Sequence, residues 1–112
     1  MQQPLQAEQV AEGKLQETIV SQAEKLGWIP LEVNRTRGRS TLTYTTPGTP
    51  DLFLVGYGRI IAIELKTPEG TLSPAQKKLK LEALRKEVEI HTVRSLDEFL
   101  DVHRREGVWR SR

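Results

Sequence analysis

The segment from Asp51 to Lys66 constrains the fold more than any other, because it contains two apolar runs separated by a short glycine-bounded break. Apolar runs of this length with such a break are typical of a β-hairpin. If Tyr57 and Gly58 form a two-residue turn, Asp51 lies directly opposite Glu64 on the partner strand. The sequence therefore predicts a hairpin whose open end brings two carboxylates together.

Two facing carboxylates are unfavourable in a strand pair, because like charges repel and half-buried acids lose hydration. A divalent cation reverses this effect, and carboxylate oxygens are ligands that Mg²⁺ and Mn²⁺ prefer. Side chains alternate along a strand, so Lys66 shares a face with Glu64. A cation there would polarise a phosphodiester and acidify a bound water, which Lys66 would orient. The pattern indicates metal-dependent phosphodiester hydrolysis. The alternative is that Asp51 caps a turn, while Glu64 and Lys66 form the polar face of an edge strand.

Three motifs carry a resemblance to a known family: Gly48-Thr49-Pro50-Asp51-Leu52, Glu64-Leu65-Lys66 and Gly70-Thr71-Leu72-Ser73-Pro74-Ala75-Gln76. Together they resemble the VRR-NUC branch, the virus-type replication and repair nucleases, of the PD-(D/E)xK nuclease superfamily. The resemblance extends upstream to Glu12-Gly13-Lys14-Leu15-Gln16 and Leu26-Gly27-Trp28, and it covers the chain from about residue 12 to residue 100. Thr49 separates Gly48 from the Pro-Asp pair, a spacing that the family tolerates.

The resemblance implies a role for each matching residue. Asp51 and Glu64 would bind Mg²⁺ or Mn²⁺, the main-chain carbonyl of Leu65 would be a further ligand, and Lys66 and Gln76 would complete the site. Members of the family are structure-selective DNA nucleases. Small stand-alone phage and bacterial members are similar to Holliday-junction resolvases that act as homodimers, so the resemblance implies branched DNA and a second copy of the chain as partners, with no small-molecule cofactor.

Two candidate site residues have more than one interpretation. Ser73 and Gln76 have the spacing of a capping box at a helix start, which explains the glutamine without catalysis, and the sequence supports both interpretations equally. Glu12 lies four residues before Gln16, on the same helix face. In the family an acid at this point assists the metal site; Glu17 is the competing candidate, and we favour Glu12 because its surroundings fit the family pattern better.

Basic residues form two candidate DNA contacts, although the net charge is only +2 and the pI is about 9.1. The first set lies in residues 34–48, a polar stretch without helical periodicity that indicates a long loop. Its members are Arg35, Arg37 and Arg39. Closely spaced arginines neutralise phosphate charge, so we interpret this set as a DNA contact, with a solvated loop as the alternative. The second set, in the following helix, is equally well explained as a solvated face: Lys77, Lys78 and Lys80.

The predicted element order is αβββαβα. The predicted helices run from about Leu5 to Leu26, from Ser73 to about Lys86, and from Ser95 to about Arg105. The predicted strands are Trp28 to Val33, the two arms of the hairpin, and Val88 to Val93. This order implies an α/β fold, restriction-endonuclease-like, with a mixed sheet flanked by helices. We expect one domain over residues 1–112, with residues 1–5 and 107–112 as flexible tails.

Composition excludes several classes of function. The chain has no cysteine, so disulfides, thiolate zinc sites and a cysteine nucleophile are excluded. No apolar run approaches the roughly 20 residues that cross a bilayer, and residues 1–9 lack the pattern of a signal peptide, so we expect no membrane partner and a place in the cytosol of the cell or host. His91 is interpreted as a structural residue rather than a base. The alternative from another class is a non-catalytic DNA-binding or assembly module with the same fold.

Overall fold

The computed structural model describes residues 4–33 and 46–107, with side chains described from residue 11 onward. Its elements follow the predicted αβββαβα order. Their bounds are α1 Pro4–Lys25, β1 Ile29–Glu32, β2 Leu52–Gly56, β3 Arg59–Leu65, α2 Pro74–Arg85, β4 Ile90–Val93 and α3 Leu96–Glu106. The predicted α/β fold with a mixed sheet is confirmed.

The four strands form one sheet in the order β1-β2-β3-β4. The first two pairings are antiparallel, and β4 lies parallel to β3. A parallel return requires a crossover, which α2 supplies. The last strand begins at Ile90 instead of the predicted Val88, because the chain first turns at Glu87, where φ is 68°, and the Val88 amide still donates to the carbonyl of Ala83 at 2.9 Å.

The hairpin closes as the glycine-bounded break predicts. Gly56 pairs with Arg59, leaving a two-residue turn in which Tyr57 and Gly58 have φ of 53° and 78°. Two successive left-handed residues are typical of a type I′ turn, which matches the twist of the strands. The tyrosine tolerates this conformation because its hydroxyl donates to the carbonyl of Leu26 and its ring packs edge-on against Trp28 at 4.8 Å.

The hydrophobic core lies between one sheet face and the helices α1 and α3. It consists of Ile19, Ala23, Trp28, Leu52, Leu54, Ile61, Ile63, Leu65, Val93, Phe99 and Val102. The Trp28 indole donates to Nδ1 of His103 at 3.1 Å and so links the end of α1 to α3. Burial, followed by the charge of Arg104, lowers the pKa of His103, which keeps the imidazole able to accept this hydrogen bond.

The opposite sheet face is covered differently. Within residues 4–33 and 46–107, α2 is the one element on it, and none of the residues of α2 is buried. This helix contacts β3 and β4 through Gln76 and Lys80, whereas the apolar side chains of β1 and of the hairpin turn end stay exposed. In the described ranges, no helix is long and apolar enough to span a membrane.

Candidate metal centre

Asp51 and Glu64 face each other at the open end of the hairpin. Leu52 pairs with Ile63, and the amide of Asp51 donates to the carbonyl of Ile63 at 3.1 Å. The next pair along the ladder is therefore Asp51 opposite Glu64, on the sheet face that α2 covers in part. Asp51 is half-buried, and Glu64 is only 3% exposed. The hairpin thus brings together the two carboxylates that its sequence predicted.

The Asp51 carboxylate is held in place by the backbone of the partner strand. Its Oδ2 accepts a hydrogen bond from the amide of Leu65 at 2.8 Å. This contact ties the acid to the same residue whose carbonyl is predicted to be a metal ligand. The amide of Lys66 in turn donates to the carbonyl of Val93 at 3.1 Å, so the end of β3 is fixed from both sides.

Gln76 makes hydrogen bonds both at the start of α2 and with Glu64. Its side-chain Oε1 accepts a hydrogen bond from the main-chain amide of Ser73 at 2.8 Å. The main-chain amide of Gln76 donates to the Ser73 hydroxyl at 3.1 Å, which completes the capping box. Its Nε2 donates to Oε2 of Glu64 at 2.6 Å. One side chain therefore both caps α2 and fixes the orientation of a buried carboxylate.

The environment of Glu64 strongly favours its protonated form. Burial, then the charge of Asp51 and a hydrogen bond with it, raise the pKa of Glu64 from 4.5 to about 8, while Lys66 opposes this rise. Glu12 raises the pKa as well, which places this acid of α1 near the pair. The competing Glu17 is exposed, and Glu12 stays the predicted helix acid. Two hard oxygen donors that disfavour each other's charge fit a divalent cation.

The position of Asp51 depends on a glycine in the loop before it. Gly48 has φ of 87°, and a Cβ at this position would lie 2.5 Å from the carbonyl oxygen of Ala75. The loop therefore lies directly against the first turn of α2, one residue before Gln76. The motif glycine is explained by this close approach, which only a residue without a side chain permits.

The basic residues predicted to take part in the site or to contact DNA differ in their burial and contacts. Lys66 is half-buried beside the acids, while Lys77 and Lys78 are exposed on α2. Lys80 donates through Nζ to the hydroxyl of Thr92 at 2.7 Å, so it helps to hold α2 on the sheet. The predicted arginine contacts lie outside the described residues: Arg35, Arg37 and Arg39.

Arg94 supports the site, and no pattern in the sequence signals it. Its Nη1 donates to the carbonyls of Thr67 and Gly70 at 2.8 and 2.6 Å. These carbonyls belong to the loop that joins Lys66 to the cap of α2, so Arg94 fixes that connection. The contact spans 24 to 27 residues of sequence and uses main-chain acceptors, which leave no residue-type signature.

Gln16 fixes the turn of α1 that carries Glu12, because its side-chain amide donates to the carboxylate of Glu32 at 2.7 Å.

A second group of titratable side chains lies on the other face of the sheet. His91 is buried, with Nε2 3.2 Å from Glu106 and Nδ1 3.6 Å from Glu89. Arg59 also pairs with Glu106. Potential ligand atoms of the histidine and the two glutamates lie within 4.8 Å of one another. This network ties α3 to β3 and β4 and is separate from Asp51 and Glu64, because His91 pairs with Ile63 and so points away from Glu64.

A solved structure described as a "VRR_NUC domain" has the same fold. It superposes with a TM-score of 0.65 at 22% identity, covering 88% of this chain and 98% of that chain. No protein-family model matches the sequence, and no curated protein is significantly similar to it. The structural match bears out the fold that the sequence motifs implied.

Proposed function

We propose that this protein is a divalent-metal-dependent DNA endonuclease that hydrolyses phosphodiester bonds. The observation that carries the proposal is the facing pair formed by the half-buried Asp51 and the buried Glu64. Such a pair is costly for folding unless a cation joins it, and costly arrangements of this kind are concentrated at functional sites. The fold shared with a VRR-NUC domain supports the same conclusion.

Mg²⁺ or Mn²⁺ would be held by the two carboxylates together with the carbonyl of Leu65, and would supply charge stabilisation and a more acidic water. Lys66, on the face of Glu64, orients the attacking water or neutralises the charge that develops on the phosphate. Gln76 keeps the Glu64 carboxylate turned in one direction through its 2.6 Å hydrogen bond. Glu12 adds negative charge near the pair and supports the metal through water.

Branched DNA is the proposed substrate, and a Holliday-junction resolvase-like homodimer is the proposed form. Symmetric cutting of two strands needs two related sites, and one small chain supplies one. The exposed Lys77 and Lys78, together with Arg35, Arg37 and Arg39, would contact phosphates. These contacts fix register on the nucleic acid, while selectivity for a junction comes from the spacing of the two sites.

The test is cleavage of labelled four-way junction, flap, duplex and single-stranded DNA in Mg²⁺, Mn²⁺ or EDTA. We expect paired symmetric nicks in the junction, lost in EDTA. Asp51→Ala and Lys66→Ala should each lower the rate at least about 100-fold, whereas Glu17→Gln, an exposed change on α1, should keep it. Unchanged cutting by Asp51→Ala would refute the assigned centre. DNA binding without cleavage in either metal would identify a non-catalytic binding module.

A further inference from the structure

An apolar surface occupies the sheet face on which the carboxylate pair lies. We call it the open sheet face and define it by Ile29, Leu31, Phe53, Val55 and Ile60. The strand register places these side chains in two adjacent rows, Ile29 beside Val55 beside Ile60, and Leu31 beside Phe53. Ile29, Leu31 and Ile60 are 60%, 49% and 65% exposed.

No element of the described chain covers this face. The helix α2 reaches the sheet at Glu64 and Thr92, towards β4, and leaves the rows of β1 and β2 open. A sheet normally buries each apolar face against another layer. Val88 is also exposed and lines a surface hollow together with Ile60. The other walls of this hollow include Arg59, Glu87 and Glu89, so charged residues border the apolar rows at this end.

We propose that a second copy of this chain covers the open sheet face, face to face. This inference rests on the homodimer of the proposed function and assigns its surface. Because Ile29, Leu31 and Ile60 are each about half exposed or more, the defining side chains present apolar area on the order of a few hundred Å². That area is a large part of the about 800 Å² that each partner contributes to a standard interface. In a two-fold dimer the same patch of each copy contacts the other copy. Because this patch carries no charge, the two copies do not repel each other there.

Two features argue against other modes of association. One of the two outer strands, β1, contains Pro30, which cannot donate a ladder hydrogen bond, so extension of the sheet along the β1 edge is disfavoured. All side chains that define the face are apolar, whereas nucleic acid binds basic surfaces. Two charged neighbours make their contacts on the other face: Glu32 meets Gln16 of α1, and Arg59 meets Glu106 of α3.

The position of the face links the dimer to the candidate metal centre. Asp51 and Phe53 are alternate residues of one chain segment, so the acid pair lies one step of about 7 Å from the apolar rows. A copy seated on this face would border both candidate centres. The distance between two cuts in a junction would then be set by the packing of this surface.

The first experiment measures association of the full chain by sedimentation equilibrium. Wild type should form a dimer, and Ile60→Glu and Leu31→Glu should each raise its dissociation constant at least about tenfold. Leu81→Glu is the matched control, because Leu81 is 50% exposed but lies on α2, outside the open sheet face. Circular dichroism checks that each variant is folded. A monomeric wild type, or dimers that persist in both sheet variants, would overturn the proposal.

The absence of cysteine allows a second, direct test. A single Leu31→Cys chain treated with a short bis-maleimide should give a crosslinked dimer. Thr18→Cys, exposed on α1 at the opposite side of the sheet, should not. Equal crosslinking at the two positions would contradict the face assignment. The outcomes distinguish this proposal from the nuclease proposal. A dimer that forms through this face but does not cut DNA would support the interface and refute the nuclease. A monomer that cuts DNA would support the nuclease and refute the interface.

Discussion

Among the single residues that the structure describes, Gln76 is the one whose side-chain amide contacts both the start of α2 and the candidate centre. Its oxygen completes the cap of α2, and its nitrogen holds a carboxylate of the candidate centre. The two ends of an amide have opposite hydrogen-bonding character, so a single orientation satisfies both contacts. The capping pattern could be predicted from the sequence because it is local. The contact with Glu64 could not, because it depends on how α2 crosses the sheet.

The two roles of Gln76 can be separated with a neighbouring residue. Ser73→Ala removes the cap hydroxyl but keeps the amide next to Glu64, and should cost about 1 kcal/mol of stability while leaving cleavage within about threefold. Gln76→Ala should cost a similar amount and lower cleavage at least about tenfold, since the carboxylate loses its donor. Urea denaturation measures the loss of stability in each variant. Cleavage rates, measured well below the melting temperature of both variants, measure the loss of activity. Equal activity of the two variants would leave the glutamine as a cap alone.

At the element scale, the centre is assembled where a loop, a strand end and a helix start meet. The hairpin brings Asp51 opposite Glu64, and its pairing was predictable from apolar runs and turn residues alone. The approach of the loop to α2 was not predictable, because Gly48 and the Ala75 carbonyl that a Cβ there would strike belong to segments far apart in sequence. The contacts of Arg94 were not predictable either, since its acceptors are backbone carbonyls.

Gly48 and Gly58 offer a matched pair of substitutions. Both have left-handed backbone, but only Gly48 has a neighbour that a Cβ would strike. Gly58→Ala should cost about 1 kcal/mol, from backbone strain alone. Gly48→Ala should cost at least about 2 kcal/mol more, because the loop must move off α2, and it should also weaken Mn²⁺ binding measured by calorimetry. Equal losses of stability for the two variants would show that the close approach does not constrain the loop.

At the scale of the whole molecule, the sheet is covered unequally. One face has a continuous core beneath α1 and α3, and the other has a helix with no buried residue. The sequence predicted the order of elements and the two-sided arrangement, because hydrophobic periodicity and caps are local signals. It did not predict the open sheet face, because the same alternation of Ile29 and Leu31 is expected whether a helix of the chain or another molecule covers them. The extent of cover is a property of the assembled layers.

Stability of the whole molecule should depend on pH through Glu64. A carboxyl whose pKa is raised to about 8 binds its proton more tightly when folded than when unfolded. The free energy of unfolding should therefore fall as pH rises between about 4.5 and 8 in EDTA. Glu64→Gln should flatten that dependence, and saturating Mg²⁺ should reduce it in wild type. Urea titrations at pH 5, 6.5 and 8 measure this effect, with Glu17→Gln as control; a wild-type curve that rises over the interval would contradict the assignment.

The type I′ turn at Tyr57 and Gly58 also has a consequence for the order of events in folding. Hairpins form within microseconds, whereas the parallel pairing of β4 must wait for closure of a long connection. Repulsion between Asp51 and Glu64 opposes pairing at the open end, while the turn end has no such conflict. We therefore expect the strands to pair from the turn towards the acids, with the candidate centre as the last part of the hairpin to close.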